Sequence, residues 1–328
     1  MLRHRPFWPL LCSIAGTTSM AAQTPDIGPP PGRLVDVGGR SLHVICSGSG
    51  APTVLLEAGA SAFAIDFFLV QPEIARTNRV CAYDRAGMGW SSARPDLETP
   101  ARIVADLEAL LTAIGEKPPF VLVGASFGAV YVRLYQLEHP AAVAGLVLLD
   151  PATEDRLFTM YEGQAVPIAS LTAAQFSTTL PAAGSVPVRS RPPQTGSPFD
   201  RLPPDLYQLR VKLDQRLIAS MPASVTAETV RETAEGRRAG LARLLESRAL
   251  PDAPIRSRPL VVLTRGLDVT DGLTENHAGL AKLSDNARHT VVADAGHEIH
   301  LFSPAAVIQA VSDVVAAAGR NSRLPARP

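Results

Sequence analysis

The sequence predicts an α/β protein in which a mostly parallel central sheet, covered by helices on both faces, is interrupted by an inserted, mainly helical cap. Three observations point there. Short, continuous apolar runs at residues 53–57, 80–83, 120–123 and 143–149 have the character of strands buried on both faces. They alternate with segments of helical periodicity, which is the order of a sheet built by crossover connections. The alternation stops after residue 153 and strand character returns at 259–264 and 290–293, so the intervening stretch reads as an insertion above the sheet.

Each element has its own signal. Residues 33–37 and 42–46 read as two strands joined by a Gly38-Gly39 turn, which starts the sheet with an antiparallel hairpin. The stretch 63–76 is helical in character but carries Pro72. Thr99-Pro100 opens a well-marked helix with an N-cap hydroxyl and proline in the first turn; Ile103, Leu107, Leu110, Leu111 and Ile114 share one face, and Gly115 follows. Residues 129–138 form a helix stopped by Pro140, and a last helix runs from Ser303-Pro304 to about Ala318. The expected organisation is therefore a leader at 1–24, a sheet-bearing core in two parts at 25–152 and 258–320, a cap at 153–257 broken by a proline-rich stretch, and a tail at 321–328.

Composition narrows the function. The chain has 328 residues, 46% of them hydrophobic, which is enough for a large buried core. Its 31 basic and 31 acidic residues cancel, which argues against nucleic acid as a partner. Arg3, His4 and Arg5 precede a short apolar run and small residues through Ala22, the layout of a secretory signal peptide, with a disordered or mis-assigned start as the alternative. The run is too short to span a bilayer, so no stable membrane insertion is expected. The expected location is periplasmic or secreted, or cytoplasmic if this segment is not a leader. Cys46 and Cys81 lie in probable strands, and a disulfide and two buried thiols both remain open.

Gly124-Ala125-Ser126-Phe127-Gly128 is a G-x-S-x-G motif placed directly between a strand and a helix, the context in which it marks a nucleophile. A serine hydroxyl needs a general base. His297, in Asp294-Ala295-Gly296-His297, follows the last strand at the sheet edge where reacting groups gather, with His300 as the fallback. The base needs an orienting acid. Asp268, in Arg265-Gly266-Leu267-Asp268 after the preceding strand, is the first candidate; Asp150 at the end of an earlier strand, Asp271 and Glu275 are the alternatives.

These motifs, together with Tyr83-Asp84-Arg85-Ala86-Gly87-Met88-Gly89-Trp90-Ser91, resemble the α/β-hydrolase family, in particular its cap-bearing group of serine esterases, lipases, lactonases and proline-iminopeptidase-like enzymes, over residues 33–320. The resemblance implies oxyanion donors at the backbone amides of Ala60 and Phe127, although Glu57-Ala58-Gly59-Ala60-Ser61 replaces the family's usual His-Gly. Asp84 and Arg85 are expected to support the adjoining turn, and Glu57 either holds that loop or is a plain strand-end carboxylate. Phe63, Phe67 and Trp90 are candidate pocket residues, or core.

What the resemblance implies is hydrolysis of a small-molecule carboxylic ester through an acyl-enzyme on Ser126, with His297 as base and Asp268 as orienting acid, no cofactor and no metal. The alternatives are a proline-iminopeptidase-like exopeptidase, with Glu154, Asp155 or Glu162 to hold an ammonium group, a lactone, thioester or carbon–carbon bond hydrolase, and a non-catalytic binding protein. Serine at the motif's centre argues against the dehalogenases and epoxide hydrolases of this fold, which use aspartate there. Oligomeric state is not legible.

Overall fold

A computed structural model describes residues 25–94, 98–188, 191–250 and 255–326. The expected leader lies outside them. The elements follow in the order β1 (Arg33–Asp36), β2 (Ser41–Ser47), β3 (Thr53–Glu57), α1 (Gln71–Ile74), β4 (Val80–Tyr83), α2 (Pro100–Ile114), β5 (Phe120–Ala125), α3 (Gly128–Glu138) and β6 (Val143–Leu149). The insertion contributes β7 (Phe158–Tyr161), β8 (Gln164–Pro167), α4 (Ala173–Ser177), β9 (Ser185–Pro187), α5 (Pro204–Ser220), β10 (Ser224–Thr226) and α6 (Ala227–Ser247). The chain then returns to the sheet with β11 (Leu260–Arg265), α7 (Leu273–Ala281), β12 (Ala287–Val292), α8 (Ile299–Phe302) and α9 (Pro304–Arg320).

Eight strands form one sheet in the order β1-β2-β4-β3-β5-β6-β11-β12. β2 runs antiparallel to β1 and β4, and the remaining pairs are parallel. The apolar strands are buried on both faces because alternate side chains serve different cores. On β5, Phe120 and Leu122 pack with α2, α3 and α6, whereas Val121, Val123 and Ala125 pack with α1 and α9 on the other face. α2 is capped as its sequence predicts: the Thr99 hydroxyl accepts from Arg102 N–H, and Gly115 ends the helix at φ 75°.

Three local expectations are revised. Residues 63–76 form a 3₁₀ turn, Ala64–Phe67, and then the single turn of α1, because Pro72 permits only a first-turn position and the Ala64 amide donates to Asp84. The last sheet strand starts at Ala287, ahead of residue 290. The insertion also contains two small antiparallel ribbons, β7–β8 and β9–β10. Glu162 and Gly163, at φ 49° and 78°, supply the two left-handed residues that a tight hairpin turn between β7 and β8 requires.

Cys46 and Cys81 face each other across β2 and β4 and are joined as a disulfide. The insertion is tied to the core by buried charge. Glu154 receives two hydrogen bonds of 2.8 Å from Arg133 on α3 and one of 2.7 Å from Arg248 at the end of α6. Although burial opposes its ionisation, these arginines hold the Glu154 carboxyl down at about 2.

Candidate active site

Ser126 sits where β5 turns into α3, with φ 51° in the left-handed region. Such a turn requires its flanking backbone to be bare. A Cβ at Gly124 would lie 2.7 Å from the Ala129 backbone nitrogen, and one at Gly128 would lie 2.3 Å from the Glu57 carbonyl oxygen. The two glycines of the motif thus let α3 press against β5 on one side and the end of β3 on the other. The turn is locked by Ser126 N–H donating to Leu149 O (2.9 Å) and by Ser126 O accepting from Ala152 N–H (2.9 Å).

The loop after β12 carries His297 to this serine. Its Nε2 lies 2.9 Å from Ser126 Oγ, and its Nδ1 lies 2.5 Å from Asp150 Oδ2. With the carboxylate accepting from Nδ1–H, Nε2 is left as the acceptor facing the hydroxyl. Burial works to lower the His297 pKa, but the Asp150 hydrogen bond, Glu298 and the Asp150 charge together carry it above its ordinary value. Asp150 is held below the usual carboxylate range: burial raises it, and the His297 hydrogen bond, the Arg265 amide and the His297 and Arg265 charges outweigh that cost.

The acid beside His297 is therefore Asp150, and the expectation for Asp268 is corrected. Asp268 stands exposed on the loop after β11 at φ 51°. β6 lies directly beside β5 in the sheet, so the residue that ends it arrives next to Ser126, whereas the 267–270 loop turns outward. Asp271 and Glu275 are exposed as well. His300, the fallback base, is buried, with Nδ1 lacking a hydrogen-bond partner and its ring 4.8 Å from that of Phe67.

Asp150 is itself positioned by neighbours that periodicity could not reveal. Its N–H donates to Leu263 O (2.8 Å), and its Oδ1 accepts from Arg265 N–H (3.1 Å). The next carbonyl, Pro151 O, accepts from His277 Nε2 at 2.9 Å. A carbonyl can only accept, so Nε2 carries the proton. Neutral His277 then accepts through Nδ1 from the Thr264 hydroxyl (2.8 Å), and Thr264 Oγ1 in turn accepts from His289 Nε2 (2.8 Å). Burial, with help from the nearby His289 and Arg156, holds His277 down to about 4 although Asp150 and the Pro151 bond pull upward, so this chain stays neutral.

The loop after β3 is clamped by Arg85. One guanidinium nitrogen donates to Glu57 Oε1 (2.8 Å) and Ala58 O (2.7 Å), and the other donates to Gly59 O (2.7 Å). Tyr83 donates to the second Glu57 oxygen at 2.5 Å. Glu57 thus answers Arg85, and Arg85 fixes two carbonyls just before Ala60. Asp84 braces the same region, accepting from Ala64 N–H (2.8 Å) and from His43 Nδ1 (2.7 Å).

Ser126 and His297 open into a cavity of about 290 Å³ whose walls include Ala60, Phe127, Phe199, Arg210 and Glu298. The three aromatic residues expected to line it do not. Phe63 is fully buried against Ile65, Met88 and Leu213, Phe67 is core behind His300 with Val70 and Ile74, and Trp90 donates to Gly28 O (2.9 Å) away from the serine. Their apolar surface goes into packing. The cavity's aromatic walls are Phe127, from the motif itself, and Phe199, from the insertion. No sequence pattern marks Phe199, Gln194 or Arg210, because residues of an insertion meet the core through tertiary packing alone. Among the described residues the one grouping of metal-ligand type, Cys46, Cys81 and Glu116, has both sulfurs taken by the disulfide. No helix among them is long and apolar enough to cross a membrane.

A strand-turn-helix serine, a histidine from the last strand's loop and an acid from a neighbouring strand edge define an α/β protein of hydrolase type. The chain belongs to the alpha/beta hydrolase family, whose model matches residues 44–310. Among solved structures it is similar to a thermophilic esterase from Thermogutta terrifontis, at 20% identity and a TM-score of 0.57 over 87% of this chain and 98% of that one. It is equally similar to the enol-lactonase from Burkholderia xenovorans, at 20% identity and a TM-score of 0.58 over 87% of this chain and 100% of that one. At such identities the likeness is one of fold. A curated relative, 2-hydroxymuconate semialdehyde hydrolase from a Pseudomonas species, is 30% identical over 131 residues, 39% of this chain and 46% of that protein. The chain matches less than half the length of each of its curated relatives.

Proposed function

We propose that the protein is a serine hydrolase of small carboxylic esters. The observation that carries this reading is the unbroken hydrogen-bonded chain from Ser126 Oγ through His297 to Asp150 at the mouth of a cavity. Ser126 attacks the carbonyl carbon while His297 Nε2 takes its proton, and Asp150 holds the tautomer and stabilises the imidazolium. The negative oxygen that forms is received by the amides of Ala60 and Phe127, both at the cavity wall. His297 then returns the proton to the leaving alcohol, leaving an acyl-enzyme on Ser126. Water attacks that ester, again giving its proton to His297, and the acid departs as Ser126 is restored.

The exopeptidase alternative loses the acids first considered for it. Glu154 is buried on Arg133 and Arg248, Asp155 pairs with Arg248, and Glu162 sits at the exposed β7–β8 turn. The disulfide supports placing the protein in an oxidising compartment, in keeping with a leader that directs export. The test is a panel of p-nitrophenyl esters of graded acyl length beside aminoacyl-p-nitroanilides. Ester turnover with a burst of nitrophenol is expected, and Ser126→Ala should lower kcat on the order of 10⁶-fold. Faster cleavage of the anilides would favour a peptidase. A folded protein that neither turns over esters nor takes a fluorophosphonate at Ser126 would leave the binding-protein reading.

A further inference from the structure

A second cavity, of about 210 Å³, meets the first at Ser126 and His297. Its walls include Asp150, Thr153, Arg156, Arg265 and Thr270, but neither Ala60 nor Phe127. This division matters for the reaction proposed above, on which the present inference rests. The carbonyl oxygen must point to the Ala60 and Phe127 amides, hence into the first cavity. The leaving oxygen must face the imidazole that protonates it, so the alcohol portion of the substrate falls on the side of the second.

The two sides differ in charge. In the first cavity the single guanidinium, Arg210, is already set between two carboxylates, with Asp66 at 3.4 Å and Asp214 at 3.7 Å, and Glu298 adds a further acid to the wall. In the second there are two guanidinium groups and one carboxylate, and that carboxylate, Asp150, is engaged by His297. Arg265 pairs with Asp150 at 3.5 Å, and its Nε, like that of Arg210, is buried without a hydrogen-bond partner. Arg156 is fixed by uncharged groups: Nη1 donates to Asp271 O and Nη2 to Thr270 Oγ1, each at 2.8 Å. The nearest acid in sequence, Asp155, is taken by Arg248, and among the described residues no carboxylate pairs with Arg156. A cation held in place by neutral acceptors keeps its charge available to a ligand, and a guanidinium fork matches a carboxylate with two parallel hydrogen bonds.

We propose that this second cavity is a leaving-group subsite for a carboxylate, with Arg156 as its principal anchor and Arg265 as the supporting charge. The substrates it selects are esters whose alcohol portion carries an acid group. The subsite also offers the product alcohol a place to linger as a competitive inhibitor.

The test compares two butyrate esters whose phenols are of similar acidity, 4-(carboxymethyl)phenyl butyrate and 4-methylphenyl butyrate, in wild type and Arg156→Gln. Glutamine keeps a donor for Asp271 O while removing the charge. The expected result is a kcat/KM ratio of about tenfold in favour of the carboxylate ester at low salt, falling toward unity in Arg156→Gln and shrinking with added sodium chloride. Calorimetric binding of 4-hydroxyphenylacetate, weakened about tenfold in Arg156→Gln and not shown by p-cresol, reads the subsite without turnover. Equal rates on both esters, or a ratio that Arg156→Gln leaves intact, overturns the subsite while the hydrolase reading stands. Binding of the anionic phenol without hydrolysis of either ester does the reverse.

Discussion

Asp150 reaches His297 from a backbone conformation that residues with a side chain avoid, at φ 39°. Strain of this kind costs about 1–3 kcal/mol and persists only where neighbours over-determine it. Here the neighbours are Leu263 O, the Arg265 amide and the His277 bond to Pro151 O. The carboxylate so placed raises His297, with the consequence that activity in wild type should fall as pH drops through a value above the ordinary 6.5. Asp150→Asn replaces the carboxylate by a neutral amide and removes its charge, so the acid limb of the pH profile should move to lower pH. Because an amide would also favour the wrong tautomer, kcat should fall by about 10⁴. Asp268→Asn, at an exposed position, should stay within about twofold. Full pH–rate profiles of both variants decide between the two acids, and a collapse of activity in Asp268→Asn alone would reverse the assignment. Ser126 and His297 could be picked from the chain because short local motifs surround them. The acid could not be chosen by the same means, since Asp150 and Asp268 both follow strands that end at one sheet edge. Only the order of strands, with β6 beside β5, separates them.

Among elements, the loop after β3 is held by a cluster that its own short sequence does not announce. The His-Gly expected by resemblance is absent, and a buried Glu57, Tyr83 and Arg85 cluster holds the Ala58 and Gly59 carbonyls instead. If Arg85 keeps the Ala60 amide aimed at the reacting oxygen, Arg85→Gln should lower kcat about 10- to 100-fold, the usual cost of a lost supporting contact. It should also destabilise the fold, because Glu57 would be left buried without its cation. Burial already pushes the Glu57 carboxyl up, against the pull of Arg85 and Tyr83, so without Arg85 the carboxyl must be either a lone buried charge or protonated at a cost, and glutamine is the neutral form without that cost. The double variant Glu57→Gln/Arg85→Gln should therefore recover much of the denaturant stability of the single variant without recovering kcat. Parallel recovery of both would mean that Arg85 acts only on stability. The strands that frame this loop were legible because they are continuous apolar runs buried on two faces. The ribbons of the insertion were not, because β7 and β8 are half exposed and joined by Glu162-Gly163 rather than by a strong turn pair.

At the scale of the whole molecule, the site is built where two cores and the insertion meet, and this placement buries histidines that must remain uncharged. His300, on α8, lines the first cavity, and burial, aided by the charge of His297, holds it down to about 3. In the unfolded chain it titrates at its ordinary value of 6.5. Below that pH the unfolded state binds a proton that the folded state refuses, so His300 makes the protein less stable as the medium acidifies. His277, held down to about 4, acts in the same direction, whereas Asp66, pushed up to about 6 by burial against the pull of Arg210, acts in the opposite one. The sum of these groups is hard to read from one curve, but a difference between two proteins isolates one of them. His300→Gln removes the titration while filling most of the same space, and the Nδ1 it deletes has no hydrogen-bond partner to lose. Measured by urea denaturation, the stability of the variant relative to wild type should rise by roughly 2–3 kcal/mol between pH 7.5 and pH 4.5, which is the cost of protonating an accessible histidine over two pH units below 6.5. At pH 7.5 the variant should be the weaker of the two through lost contact with Phe67, and at pH 4.5 the stronger. Two curves that run parallel across this range would show that His300 takes up its proton in the folded state, and with it that the floor of the cavity admits charge.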